Sequence, residues 1–241
     1  MNEHAAEPVK PDSAIRNLHA HALLWTTVAL ALAADLWTKH WAFTTLGTDE
    51  SRPGLFGLVS YQRSLNEGAL FGLGKGLVPL FIAASVLAVG FILYFFASSR
   101  RDQRWLHVAL AFILAGALGN MFDRTFMRAD RVVVLDGESG QVERVLGLVV
   151  GDRAGDPVRI ESWPDGGAPR TFDRERLAEP PRSLGIVRDF IKIQPVAGHD
   201  VWPWVFNVAD TLLVVGVGML FIGSAIERRT AAKVGPTSVP A

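Results

Sequence analysis

Two four-residue stretches, "NMFD" (Asn120–Asp123) and "NVAD" (Asn207–Asp210), each set an asparagine and an aspartate three residues apart. On a helix that spacing puts both side chains on one face. A third stretch, "DLWTK", sets Asp35 and Lys39 four apart, again on one face. Carboxylates and carboxamides can do acid–base chemistry without a metal or a thiol. Two facing aspartates cannot both ionise at close range, so one keeps a proton while the other accepts one. A water held between them becomes a nucleophile for an amide bond. Two other chemistries fit the same residue types. Asp123, Asp189 and Asp210 could supply oxygen ligands to Mg²⁺ in a metal-dependent membrane enzyme. Intramembrane carboxylates could also form the proton or ion path of a transporter. A path needs polar groups through the whole depth of the membrane, whereas here they stop at one face. The chain has no cysteine, which removes thiol nucleophiles, disulfides and thiolate metal sites. His107 and His199 stand alone, with no serine or threonine beside either in a catalytic motif.

The elements that must position these residues are apolar. The 241 residues carry 24 basic and 24 acidic side chains, a neutral balance that gives no sign of a nucleic-acid partner. The charges fall between four apolar runs, His21–Phe43, Gly76–Ser98, Trp105–Phe122 and Trp204–Ile226. Each is near the ~20 residues that cross a ~30 Å hydrocarbon core as a helix, and each is apolar on all sides. The expectation is an all-α membrane protein: four transmembrane helices with a small β-rich extracytoplasmic element. Residues 1–20 then form a cytoplasmic tail, 21–226 the four-span core and 227–241 a second cytoplasmic tail. "SSRRDQR", between the second and third runs, places Arg100, Arg101 and Arg104 in the cytoplasm, and "ERRTAAK" places the C-terminus there too. With this orientation Asp35 and Lys39, Asn120 and Asp123, and Asn207 and Asp210 all arrive at the outer face. A charge at the centre of a span costs about 2.5–3.5 kcal/mol, so such residues are functional by default.

At these residues the chain resembles the lipoprotein signal peptidase (signal peptidase II) family. The resemblance rests on "DLWTK" (Asp35–Lys39), "NEGALFG" (Asn66–Gly72), "GALGNMFDR" (Gly116–Arg124), "VRDFI" (Val187–Ile191) and "VFNVADT" (Val205–Thr211), which follow the family's order. It implies an intramembrane aspartyl endopeptidase, a hydrolase of lipoprotein processing in the bacterial cell inner membrane, multi-pass, with its active site at the extracytoplasmic face. Its substrates would be prolipoproteins carrying a diacylglyceryl cysteine, cut just before that cysteine. It implies no cofactor or metal, membrane lipid as the surrounding partner, and a monomer. Carried over residue by residue, the catalytic pair is Asp189 and Asp210. Asp35, Lys39, Asn66, Gly68, Asn120, Asp123, Arg124 and Asn207 are supporting or substrate-binding residues.

The chain departs from the family pattern in three places. The V-x-D segment follows "DR" within about ten residues in the family, but here Asp189 comes sixty-six residues after Asp123. Asp136 lies nearer the usual offset, yet Gly137 follows it, whereas Phe190 and Ile191 follow Asp189. Residues 126–183 therefore read as an insertion, with valine alternation and Gly/Pro/Asp turns that suggest strands. Leu70 stands where a small residue is common, and Arg188 where a valine is usual. Each site residue also has a plainer reading. Asp210 could cap a helix, Asp189 could be a solvated strand residue, and Asp35 and Lys39 could be a simple i,i+4 pair. Asn66 and Gly68 could form only a turn. Asn120 and Asn207 could bridge helices, and Arg124 could sit at headgroups. Trp37, Trp41, Trp202 and Trp204 fit an interfacial belt.

Overall fold

Four helices carry the apolar runs: α1 (Leu18–Thr45), α2 (Val78–Ser98), α3 (Arg104–Phe126) and α4 (Val208–Val234). The computed structural model describes residues 13–68, 78–135, 141–195 and 202–234. Leu70, Asp136 and His199 lie outside these residues. Among the described residues three helices are long and apolar enough to cross a membrane: Leu18–Thr45, Arg104–Phe126 and Val208–Ile226. The apolar part described for α2, Val86–Ser98, is shorter. The expected four spans are thus corrected to three. The fourth run also starts later than expected, because Val205 and Phe206 are extended and the helix begins at Val208.

The all-α expectation is corrected as well. About half of the described residues are helical and about 30% are strand. The described strands are β1 (Ser51–Gly54), β2 (Val59–Asn66), β3 (Arg128–Leu135), β4 (Val142–Val150), β5 (Val158–Glu161), β6 (Arg170–Phe172), β7 (Leu177–Gly185), β8 (Val187–Ile193) and β9 (Val205–Phe206). They form two antiparallel sheets, one of four strands in the order β1-β2-β8-β9 and one of five in the order β6-β5-β4-β3-β7. The expectation failed because half-buried strands mix apolar with polar residues. "VSYQRSLN" of β2 reads along the chain as a polar loop.

The residues cluster into two compact units. The first holds 1–34, 86–118 and 209–241. Its core packs Leu24 and Val28 of α1, Ile92 and Phe96 of α2, and Leu110 and Leu114 of α3, with Leu212 and Leu220 of α4 against them. Small residues let α3 and α4 approach closely. A Cβ on Gly116 would lie 2.5 Å from the Ala209 carbonyl oxygen, and one on Gly216 would lie 2.8 Å from that of Ala109. Lipid tails are as apolar as the helices, so packing of this kind, rather than burial from water, holds membrane helices together.

The second unit holds 35–85 and 119–208, including both sheets. Between α3 and β8 the chain runs out and back as the five-stranded sheet, whose own core is Val132, Val134, Val158, Ile160 and Phe172. The two ends of this excursion are stitched together. Arg128 pairs with Gly185 and Ala129 with Leu184, and the Ile186 amide donates to the Met127 carbonyl at 3.0 Å. The stitch returns the chain beside the end of α3, so Asp123 and Arg188 meet although sixty-five residues separate them. Gly185 makes the approach feasible, since a Cβ there would lie 2.0 Å from the Arg124 carbonyl oxygen.

This geometry predicts that Gly185→Val forces the stitch apart. Overpacking of this kind costs about 1–3 kcal/mol. Thermal unfolding in detergent should show a lowered midpoint, and an unchanged midpoint would contradict the close approach.

Candidate functional site: a buried carboxylate and carboxamide network

Three elements of the second unit bring their polar residues to one place. The C-terminal part of α1 supplies Asp35 and Lys39, the end of α3 supplies Asn120 and Asp123, and β8 supplies Arg188 and Asp189. Asp35, Lys39, Asp123 and Asn207 are fully buried, and Asp189, Arg188 and Asn120 are nearly so. Burying charge in this way is costly unless each group is paired and hydrogen-bonded.

The pairing can be traced from α1. Lys39 Nζ lies 2.9 Å from Asp35 Oδ2, one helical turn away, and 3.4 Å from Asp123 Oδ2. It also donates to Asn120 Oδ1 at 3.1 Å. A lysine can only donate, so it fixes which end of the Asn120 amide faces it. Asn207 Nδ2 donates to the same Asn120 oxygen at 3.1 Å and to Asp189 Oδ1 at 2.6 Å. Asn207 immediately precedes α4, where an asparagine commonly caps the helix, and its side chain is used here for the network. On its other side Asp189 accepts from Asn66 Nδ2 at 2.9 Å. Asn66 closes β2 and holds its own Oδ1 on the Gly68 amide at 2.8 Å, which leaves Nδ2 to face Asp189. Gly68 has φ +87°, a conformation that glycine adopts without strain. The strand register brings these groups together, with Asn66 opposite Val187 and Ser64 opposite Asp189.

Arg188 does not point into solvent, and its contact is with Asp123. Its Nη2 donates to Asp123 Oδ1 at 2.7 Å, its Nε reaches the same carboxylate at 3.2 and 3.3 Å, and its backbone amide donates to Asp123 Oδ2 at 3.0 Å. Asp123 thus has both oxygens engaged by Arg188 and Lys39, which weighs against the reading that makes it a metal ligand.

The structure brings Asp35, Lys39, Asn66, Gly68, Asn120, Asp123, Asp189 and Asn207 into one connected set. The plainer readings of Asp35 with Lys39 and of Asn66 with Gly68 are both realised, as an ion pair and a turn, and both are parts of the set. Asp189 is a strand residue but not a solvated one. Arg124 is half-buried in the last turn of α3. Asp210 is half-buried in the first turn of α4, three residues after Asn207, and belongs to the first unit. Among the four tryptophans, Trp41 packs edge-on to Tyr61, while Trp37, Trp202 and Trp204 are exposed.

Sequence reasoning missed a serine–histidine contact. Ser99 Oγ lies 2.9 Å from His107 Nε2 in the first unit. Both residues are buried, and the hydroxyl also bonds the Phe96 carbonyl at 2.7 Å, closing the end of α2. A peptide has no access to this pair, which is a structural contact. Sequence reasoning also missed Glu67 and Arg131, which are taken up below.

Membrane-crossing helices together with a buried, donor-lined carboxylate define a polytopic membrane protein with a built polar site. The sequence profile of the family described as "Signal peptidase (SPase) II" matches residues 27–226, and the chain belongs to that family. It is 26% identical over 207 residues to the lipoprotein signal peptidase of Desulfitobacterium hafniense (strain DSM 10664 / DCB-2), covering 86% of this chain and 95% of that relative. It is 29% identical over 227 residues to the lipoprotein signal peptidase of Rhodopirellula baltica, covering 90% and 78%. Two solved structures, each described as a bacterial membrane enzyme structure by the in meso method, share the fold. One aligns with a TM-score of 0.53 at 20% identity over 82% of this chain and 89% of its own. The other aligns with a TM-score of 0.57 at 18% identity over 97% and 100%. The protein is therefore a multi-pass membrane protease of lipoprotein processing, which removes signal peptides from lipoproteins.

The Arg188–Asp123 contact yields a quantitative expectation. Removing one partner of a buried pair typically costs about 3–5 kcal/mol, because the other charge is left behind. Arg188→Val should therefore destabilise the protein strongly. Combining it with Asp123→Asn should cost less than the two single losses added together. Additive losses in detergent unfolding would mean that the two groups are not coupled.

Proposed function

We propose that Asp189 and Asp210 are the catalytic pair of an intramembrane aspartyl endopeptidase that cuts prolipoproteins before their diacylglyceryl cysteine. The observation that carries this reading is the setting of Asp189. It is a buried carboxylate held between the carboxamides of Asn66 and Asn207, while the cations Lys39 and Arg188 contact Asp35 and Asp123. These two amide donors come from different elements and fix the direction in which the carboxylate points. Asn207 ties this setting to the start of α4, where Asp210 follows one turn later.

In the proposed reaction one aspartate is ionised and one is protonated. The ionised one takes a proton from a water, whose oxygen attacks the carbonyl carbon of the scissile amide. The protonated one donates to the carbonyl oxygen as the tetrahedral centre forms. When the C–N bond breaks, the aspartate that took the water proton passes it to the departing nitrogen, which becomes the amine of the new N-terminal cysteine, and a gem-diol hydroxyl returns a proton to the other aspartate. The released signal peptide keeps a carboxylate. Asn66 and Asn207 hold the base in position throughout. The supporting roles of Asp35, Lys39, Asn120, Asp123 and Gly68 follow from the network. Arg124, at the same end of α3, is assigned to substrate binding.

We place the site at the outer face of the bacterial cytoplasmic membrane. Arg100, Arg101 and Arg104 flank the start of α3, and Arg228 and Arg229 lie near the end of α4, which favours a cytoplasmic location for those ends. The opposite ends of α3 and α4 bear Asn120, Asp123 and Asp210. The Ala14 amide bonds the Ser99 carbonyl at 2.9 Å, which keeps the start of α1 with the arginine-rich loop. At that depth a diacylglyceryl group would fix the height of the neighbouring peptide bond. Its acyl chains anchor in lipid at about 0.8 kcal/mol per buried CH₂.

Two measurements test the proposal on purified protein in detergent with a chelator present. Asp189→Asn and Asp210→Asn should each abolish cleavage of a diacylglyceryl-modified prolipoprotein peptide while leaving a folded membrane protein, and substantial turnover by either variant would overturn the pair. The same peptide with an unmodified cysteine should be cut far more slowly. Equal rates would remove the lipid from substrate recognition.

A further inference from the structure

We propose that the five-stranded sheet is a brace for the turn that presents Asn66 to Asp189, with Arg131 and Glu67 as positioning residues. The inference rests on the reading that Asp189 is catalytic. Glu67 lies between Asn66 and Gly68, inside the turn whose two hydrogen bonds aim the Asn66 amide. Its Oε2 accepts from Arg131 Nη1 at 3.2 Å, and the two side chains are only 13% and 11% exposed.

Arg131 is held firmly at its own end. It belongs to β3, which is flanked by β4 and β7 within the sheet, and its Nη2 donates to Glu179 of β7 at 2.7 Å. A guanidinium presents its donors in a fixed planar fork, so a contact at each side sets the direction of the whole group. The same strand starts two residues beyond α3, the helix that carries Asn120 and Asp123. One rigid element therefore reaches two parts of the network, α3 through the chain and the Asn66 turn through Arg131. The sheet meets the neighbouring residues at further points. Trp163 packs edge-on against Phe43, and Asp165 pairs with Arg63 of β2 at 2.5 Å. These contacts oppose rocking of the sheet. An active-site group must be held within roughly 0.5 Å of its working position. Asn66 closes β2, so ladder hydrogen bonds hold it from one side, and the Arg131–Glu67 pair tethers its turn from another.

The test uses the full chain in detergent and the diacylglyceryl-modified peptide, at a temperature well below unfolding. Glu67→Gln and Arg131→Gln should each lower kcat about tenfold or more while KM stays within about twofold, since a misplacement near 1 Å can cost up to a hundredfold in rate. The double variant should be no slower than the slower single one, because both remove the same tether. Arg131→Lys should recover part of the loss. Arg170→Gln, which breaks the exposed Arg170–Glu143 pair inside the sheet and leaves the tether, should keep at least half of the rate. Unchanged kcat in Glu67→Gln, a loss confined to KM, or additive losses in the double variant would each overturn the brace. Asp189→Asn is measured alongside. Turnover there would instead overturn the reading on which the brace rests.

Discussion

Buried carboxylates must be given donors, and that requirement shapes the second unit. Asp35, Lys39, Asp123, Arg188 and Asp189 all lie away from solvent in one cluster. Leaving any of them unmatched would cost several kcal/mol, so the fold must deliver partners at hydrogen-bond distance from different parts of the chain. Two cations face Asp35 and Asp123, and two carboxamides face Asp189. Each partner lies on a different element, so α1, α3, β2, β8 and the start of α4 are fixed together. The geometry that satisfies the charges is also the geometry that presents Asp189. Stability and proposed activity therefore depend on the same bonds.

The parts of this arrangement that follow helical periodicity were legible in the sequence. Asp35 and Lys39 four apart, and Asn120 and Asp123 three apart, each share a face because one turn of helix is 3.6 residues. Lys39 then touches Asp35, Asn120 and Asp123, as that spacing permits. The apolar helices were legible for the same reason. The five-stranded sheet was legible only as a β-rich segment, and the four-stranded sheet was not legible. β2 is half-buried and mixes polar with apolar residues, and along the chain such a strand looks like a hydrophilic loop. Asn207 stands just before α4 rather than inside it, so the shared-face argument for "NVAD" placed it in the wrong element.

Contacts across long separations could not be read at all. Arg188 was identifiable as an unusual residue beside Asp189, but adjacent residues on a strand point to opposite faces. Its side chain turns away from its neighbour and onto Asp123, sixty-five residues back. Only the pairing of Arg128 with Gly185 makes that approach possible. The same holds for Glu67 and Arg131, whose meeting depends on how the five-stranded sheet returns to β2. The sheet's existence was foreshadowed by valine alternation, while its bond to the Asn66 turn had no signature in the sequence.

The central claim is that water, activated by a carboxylate pair, attacks the scissile bond directly, with no covalent acyl intermediate. The most direct test is to run the cleavage in ¹⁸O-labelled water with added hydroxylamine and weigh the C-terminus of the released signal peptide. The proposed mechanism predicts a carboxylate carrying one oxygen from the solvent and no hydroxamate at any hydroxylamine concentration. A hydroxamate product that rises with hydroxylamine would show an acyl-enzyme and would contradict the claim.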